Sequence, residues 1–298
     1  MRLPLLPREL HTTDRPSSTA QWTTFGRALE LQRPEPERIV SDAFAPVFLS
    51  ATSRNLLASL RTLVGVVRHA ERSELLSIAT SALCRHRFVD EHLLAALPAA
   101  DQVVLLGAGY DSRAYRFRAE IGDRPVYEVD LAPLSRHKAA VVAGAPGIFG
   151  PTTVRSVEID FRTQALPDRL ADAGFGRRAP AFVAWEGVSM YLDRRAVIAS
   201  LDALAALCGP GSVLAMDCWQ HVGGLRPYDH LRRFGEQAIR LIGEPITFAV
   251  TPDGIAELLA DAGFEVSDVA NARQMTARYA TAGRGCDEGM FVVSAVRR

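Results

Sequence analysis

After Pro98 the chain alternates short apolar runs with amphipathic segments, and this alternation constrains the fold more than any other feature. "QVVLLGAG", "PVYEVD", "VRSVEIDF", "APAFVAWEG" and "SVLAMDCW" each read as a strand buried on both faces, the pattern of a parallel sheet. The intervening segments are helical. In "LDRRAVIASLDALAALCGPG", Asp193 is the expected N-cap, Val197, Leu201 and Leu204 share one face, and Gly209 is the stop. "TPDGIAELLADAGF" opens a last helix with Thr251 at the cap and Pro252 at its first position, and Gly263 closes it. "EVSDVA" and "GMFVVSAV" follow without an expected helix between them, which predicts an antiparallel hairpin at the sheet edge. The repeated βα units predict a doubly wound, mostly parallel α/β sheet of seven strands with helices on both faces.

The first third of the chain is different. From Trp22 to Leu97 only helices are legible, and "RHRFVDEHLLAAL" carries Val89, Leu93 and Leu97 on one stripe. The expected organisation is an irregular arm over 1–20, a helical cap over 21–97 and an α/β domain over 98–298. A segment of about 221–250, after the fifth strand, is longer than a βα connection needs and reads as an inserted substrate cap.

Charge and cysteine content exclude several classes of function. The 34 basic and 34 acidic residues cancel, so no long-range field draws the protein to nucleic acid or an anionic membrane. Lys138 is the sole lysine, and with abundant alanine this is the bias of a GC-rich genome. The four cysteines, Cys84, Cys208, Cys218 and Cys286, show neither a disulfide framework nor metal-ligand spacing. With no leader-like apolar core near the start and no run of 18 apolar residues, a cytoplasmic location is expected.

The chemistry-bearing residues stand at the carboxyl ends of the strands, where ligands bind in open α/β sheets. Gly107 and Gly109 follow the first, and Asp130, Asp160, Glu186 and Asp217 follow the next four. A dinucleotide fingerprint would need a third glycine at Ser112, and Asp111 puts an anion in the loop that would repel a diphosphate. A ligand with a ribose, a cationic centre and no phosphate fits better, and S-adenosylmethionine is such a ligand. Asp130, 23 residues after Gly107, suits bidentate recognition of the ribose hydroxyls. Asp160 accepts from adenine with Phe161 covering the base, or else caps a helix beside a core phenylalanine. Glu186 would be costly to bury without a partner, and an amino group would supply one.

"VVLLGAGYDSRAYRF", "VYEVDLAPLSRHK", "VEIDF", "AWEGVSMYL" and "EPITFAVTPDGIAELLADAGF", with "GRALELQRPEPERIVSDAFAPVFL" and "RHRFVDEHLL" before them, resemble successive motifs of the leucine carboxyl methyltransferase-like family. The resemblance covers the chain from about Phe25 onward. It implies a class I, Rossmann-like methyltransferase that uses S-adenosylmethionine, in the branch of bacterial polyketide O-methyltransferases. It further implies that Gly107 lines the cofactor, Asp130 binds the ribose, Asp160 and Phe161 hold the adenine and Glu186 lies near the amino group. Arg87 then takes the cofactor carboxylate, with Arg85 as its competitor, and Arg27 is a more loosely aligned basic residue. Tyr191 sits near the methyl acceptor. His221 and His230 are candidate bases for a phenolic acceptor, and Phe48, Leu60, Val64 and Phe248 are candidate apolar walls of its pocket or members of the core. A hydrophobic small molecule is the expected acceptor, against a protein carboxyl group or an NAD-dependent oxidoreductase as alternatives. Trp185, where the family has a smaller residue, either narrows the site or packs in the core.

Overall fold

Strand β1 (Gln102–Leu106) is buried along its whole length, so it can only be a central strand covered on both faces. The computed structural model describes residues 18–60, 77–160, 163–221 and 246–298. It contains six further strands: β2 (Val126–Asp130), β3 (Val154–Glu158), β4 (Ala181–Trp185), β5 (Val213–Trp219), β6 (Phe264–Ala270) and β7 (Met290–Arg297). Their order is β3-β2-β1-β4-β5-β7-β6, with the first five parallel and β7 antiparallel to both its neighbours. The chain leaves β1 for β2 on one side and returns to β4 on the other. That reversal opens a crevice between the carboxyl ends of β1 and β4.

Two apolar layers enclose the sheet. Val104, Tyr127, Val183 and Trp185 pack with Val197, Leu201 and Leu204 of the Arg194–Leu207 helix on one face. Val103, Leu105, Phe182 and Ala184 pack with Phe88, Val89 and Leu93 of the Ser77–Ala96 helix on the other. The latter helix therefore covers the sheet as one of its own layers. Trp185 is core, as are Phe48 and Phe248. Leu60 is half-buried; Val64, His230, most of the expected 221–250 insertion and most of the 1–20 arm lie outside the described residues.

Local signals set the helix starts. Asp193 accepts from the Ala196 amide at 2.8 Å, and Thr251 from Gly254 at 3.1 Å. We expect Asp193→Ala to lower the unfolding free energy by about 1 kcal/mol without changing ligand affinity, measured by urea titration.

The last two strands pair antiparallel at the sheet edge as expected, but they are not joined directly. A helix, Ala272–Tyr279, stands between β6 and β7, begun by a capping box in which Asn271 and Gln274 exchange side-chain and backbone hydrogen bonds. The return this helix allows places β7 between β5 and β6, so the outer edge strand is β6.

Candidate cofactor crevice

Strand register brings the strand-end residues together. Leu106 pairs with Val129 on one side and Trp185 on the other, and Trp185 pairs with Met216. One step further, Asp130, Gly107, Glu186 and Asp217 stand in a row across four strands. On β3 the residue level with Asp130 is Glu158, and Asp160 lies two positions beyond. The Asp160 backbone starts a turn, its carbonyl accepting from Thr163 and Gln164. Phe161 lies outside the described residues.

The glycine turn is held from below and from the side. Gly107 has φ +63°, and a side chain there would drive Cβ into Val188 Cγ2. Asp130 accepts the Gly109 amide on Oδ2 at 2.6 Å and the Leu131 amide on Oδ1 at 2.7 Å. Arg27, from the helix Ser18–Glu30, donates to the Tyr110 carbonyl at 2.8 Å and pairs with Asp42 at 2.8 Å. Asp42 in turn accepts from Ser112 at 2.7 Å. This buried clamp fixes the loop, and loop support is the role that the Arg27 contacts show.

Arg87 is corrected. Its side chain is 49% exposed and pairs with Glu91 at 2.9 Å, pointing away from the sheet. Arg85 is buried and donates from Nε to Glu186 at 3.2 Å and from Nη1 to Asp217 at 2.8 Å. Arg85 lies on the Val89–Leu93 stripe at four-residue spacing, whereas Arg87 is about 200° round a helix of 3.6 residues per turn. The buried stripe itself distinguishes them. Asp217 also accepts the Gly187 amide at 2.6 Å. A side chain at Gly187, where φ is +71°, would place Cβ 2.8 Å from Arg85 Nη2.

A second arginine completes the cluster. Arg113 is fully buried and donates from Nε to Asp90 at 2.7 Å and from Nη2 to Glu186 at 2.8 Å, while Nη1 meets Asp111. Arg116 grips both oxygens of Asp90 at 2.8 Å and reaches Nε2 of His86 at 2.9 Å. The His86 Nδ1 lies 3.0 Å from Glu186. Asp111 is therefore a neutralised ion-pair member, and its charge is not the reason a phosphate is disfavoured.

The electrostatic balance of the whole cluster supplies a different reason. Burial alone would raise these acids. Around Glu186 it is outweighed by His86, Arg113 and Arg85, which hold its carboxyl well below the ordinary range. Arg116 and Arg113 likewise bring Asp90 down to about 2, and Arg113 lowers Asp111. Burial raises Asp217, against the opposing pull of Arg85 and the Gly187 amide. Four carboxylates face three guanidiniums, leaving one negative charge at the crevice floor, with Asp130 adding another at its side. Such a floor favours a cationic ligand and repels a diphosphate.

Tyr191 is half-buried in the turn Ser189–Tyr191. His221 is exposed, two residues past β5. Sequence reasoning missed His86, Asp90, Arg113 and Arg116. Their one legible sign is that His86 and Asp90, like Arg113 and Arg116, stand a helical turn apart.

Residues 20–205 match the family described as leucine carboxyl methyltransferase. A candidate S-adenosyl-L-methionine-dependent methyltransferase of Parafrankia sp. (strain EAN1pec) is 34% identical over 200 residues, 67% of this chain and 62% of that protein. The chain thus spans less than two thirds of that relative's length. Another, of Mycolicibacterium gilvum, is 31% identical over 282 residues, 88% of this chain and 86% of that one. Among solved structures, a candidate methyltransferase of Thermobifida fusca shares the fold with a TM-score of 0.56 at 17% identity, covering 91% of this chain and 97% of that one. No helix among the described residues is long and apolar enough to cross a membrane.

Proposed function

The chain belongs to the leucine carboxyl methyltransferase family, and from that premise we propose that it is an S-adenosylmethionine-dependent O-methyltransferase acting on a small, largely apolar molecule with a carboxyl or phenolic hydroxyl. The observation that carries the reading is the excess negative charge around Glu186, beside a glycine turn and a carboxylate suited to a ribose. S-adenosylmethionine is net cationic, whereas a nicotinamide dinucleotide brings a diphosphate.

The residues suit that cofactor. Asp130, whose carboxylate is held in place by the Gly109 and Leu131 amides, takes the ribose hydroxyls. Glu186 takes the amino group. Arg85 takes the carboxylate through Nη2, which has no partner among the described residues. Asp160 receives the adenine amino group, with Phe161 against the base. When bound, the sulfonium supplies a methyl group to an oxygen nucleophile by in-line displacement. The protein's tasks are then alignment and exclusion of water.

A carboxylate acceptor is ionised at neutral pH and needs no base. Tyr191, in the turn that follows Glu186, orients it through its phenol. A phenol, with a pKa of about 10, benefits from a base, and His221 is then the candidate. The exposure of His221 makes the carboxylate acceptor the simpler reading.

Calorimetric titration with S-adenosylhomocysteine, S-adenosylmethionine and NADH tests the proposal. The first two are expected to bind and NADH is not. Asp130→Ala should weaken both by about tenfold or more, the worth of hydrogen bonds to a charged acceptor. Binding of NADH without the homocysteine product would refute the assignment, and a tritiated-methyl assay on aromatic acids and phenols separates the acceptor classes.

A further inference from the structure

The donors around His86 can be counted. Arg116 Nη2 carries two hydrogens, and it meets Asp90 Oδ1 at 2.8 Å and His86 Nε2 at 2.9 Å. A guanidinium donates and never accepts, so Nε2 must present its lone pair. Arg113 Nη2 directs its own two hydrogens to the His86 carbonyl at 3.0 Å and to Glu186 at 2.8 Å. Although it lies 2.9 Å from Nδ1, it has no hydrogen left for that atom. Nδ1 therefore carries the imidazole proton and donates it to Glu186, 3.0 Å away. Burial and the Arg113 charge lower the pKa of His86, in keeping with a neutral ring.

We infer that His86, fixed as its Nδ1–H tautomer by Arg116, is the positioning residue that aims Glu186 at the amino group of the bound cofactor. The inference rests on the cofactor reading above. Glu186 takes donors from Arg85, Arg113 and His86, leaving one of its roughly four acceptor sites for a ligand. Its side chain is 14% exposed, so that site is reachable. The two arginines supply charge, and the ring supplies direction. It docks edge-on between Glu186 and Arg116, and Arg116 is held by both oxygens of Asp90.

Two substitutions separate positioning from space-filling, because the asparagine amide nitrogen falls near Nδ1 and the glutamine amide near Nε2. His86→Asn keeps the donor to Glu186, whereas His86→Gln keeps the partner of Arg116 and loses that donor. The probes are S-adenosylhomocysteine and 5′-methylthioadenosine, which lacks the amino acid end. His86→Gln is expected to weaken the first by about tenfold or more, and His86→Asn by no more than about threefold, with the second unchanged in both.

Wild-type affinity for the homocysteine should also fall on the acid side of neutrality. A second ring proton on Nε2 would face the Arg116 hydrogens. Of the other groups facing the ring or Glu186, Arg85, Arg113 and Arg116 stay charged, Asp90, Asp111 and Glu186 are held below the ordinary carboxylate range, and burial raises Asp217. The part of this acid limb that belongs to His86 should vanish in both variants, leaving only what Asp217 contributes through Arg85. Glutamine outperforming asparagine, equal losses for the two ligands, or an unchanged acid limb would overturn the inference. If wild-type protein takes up neither ligand, the cofactor reading falls and this one with it.

Discussion

Arg113→Met is expected to destabilise the protein by about 3–5 kcal/mol at neutral pH, and the deficit should shrink as the pH is lowered from about 8 to about 5. The substitution keeps an unbranched, apolar stem but removes the cation shared by Asp90, Asp111 and Glu186. Asp90 retains Arg116, and Glu186 retains Arg85 and His86. Asp111 loses its ion-pair partner. In the wild type, Asp90 and Glu186 have folded pKa values below their unfolded ones. Their ionised forms therefore add stability above the unfolded pKa, from about pH 4 upward, and that stability is lost only as the pH falls through the folded values.

Without Arg113, burial at Asp111 is opposed only by the Lys138 charge and the amide of residue 113, and the folded pKa is expected to rise above the unfolded one. The sign then reverses, because the folded variant binds a proton more readily than the unfolded chain and gains stability as the pH falls. Urea midpoints of the two proteins at both pH values give the comparison. A deficit that stays constant with pH would show that Arg113 acts by packing rather than by charge.

The strands were legible because their evidence is local. A short apolar run closed by a glycine or an acid, as at β1, β2 and β4, is visible without knowing its partner, whereas β3, at the sheet edge, is part-exposed rather than buried on both faces as expected. Register then aligns Asp130, Gly107, Glu186 and Asp217 in one row. The ion-pair cluster was not legible, because its pairs join distant parts of the chain. Arg85 meets Asp217 across 132 positions, and Arg113 meets Glu186 across 73. No spacing rule connects such residues.

Asp111 shows the hazard most plainly. An acid in a ligand loop reads as an open charge until its partner, two residues away on the next turn, is seen folding back to neutralise it. Two other errors had signals within reach. The stripe through Val89 and Leu93 already contained Arg85, and Asn271 with Gln274 already spelled a capping box.

Gly107→Ala is expected to lower stability by about 2–3 kcal/mol and to weaken S-adenosylhomocysteine about a hundredfold, equivalent to roughly 3 kcal/mol. Two separate costs combine. An L-residue at φ +63° is strained by about 1 kcal/mol or more. The new methyl would also overlap Val188 Cγ2, and valine is stiff at χ1, so it cannot swing aside. Relief must come from the glycine turn or from the segment that carries Gly187, and either movement disturbs the ligand site. If the turn moves, the Gly109 amide leaves Asp130. If the Gly187 segment moves, the anchor on Asp217 loosens, and Arg85 with it. Adding Val188→Ala removes the overlap but leaves the φ strain. The double variant should therefore recover about 1–2 kcal/mol relative to the sum of the single changes, read from a double-mutant cycle of urea midpoints and homocysteine affinities. Simple additivity would mean that the backbone conformation alone sets the requirement for glycine, and that the contact with Val188 contributes nothing to holding the crevice.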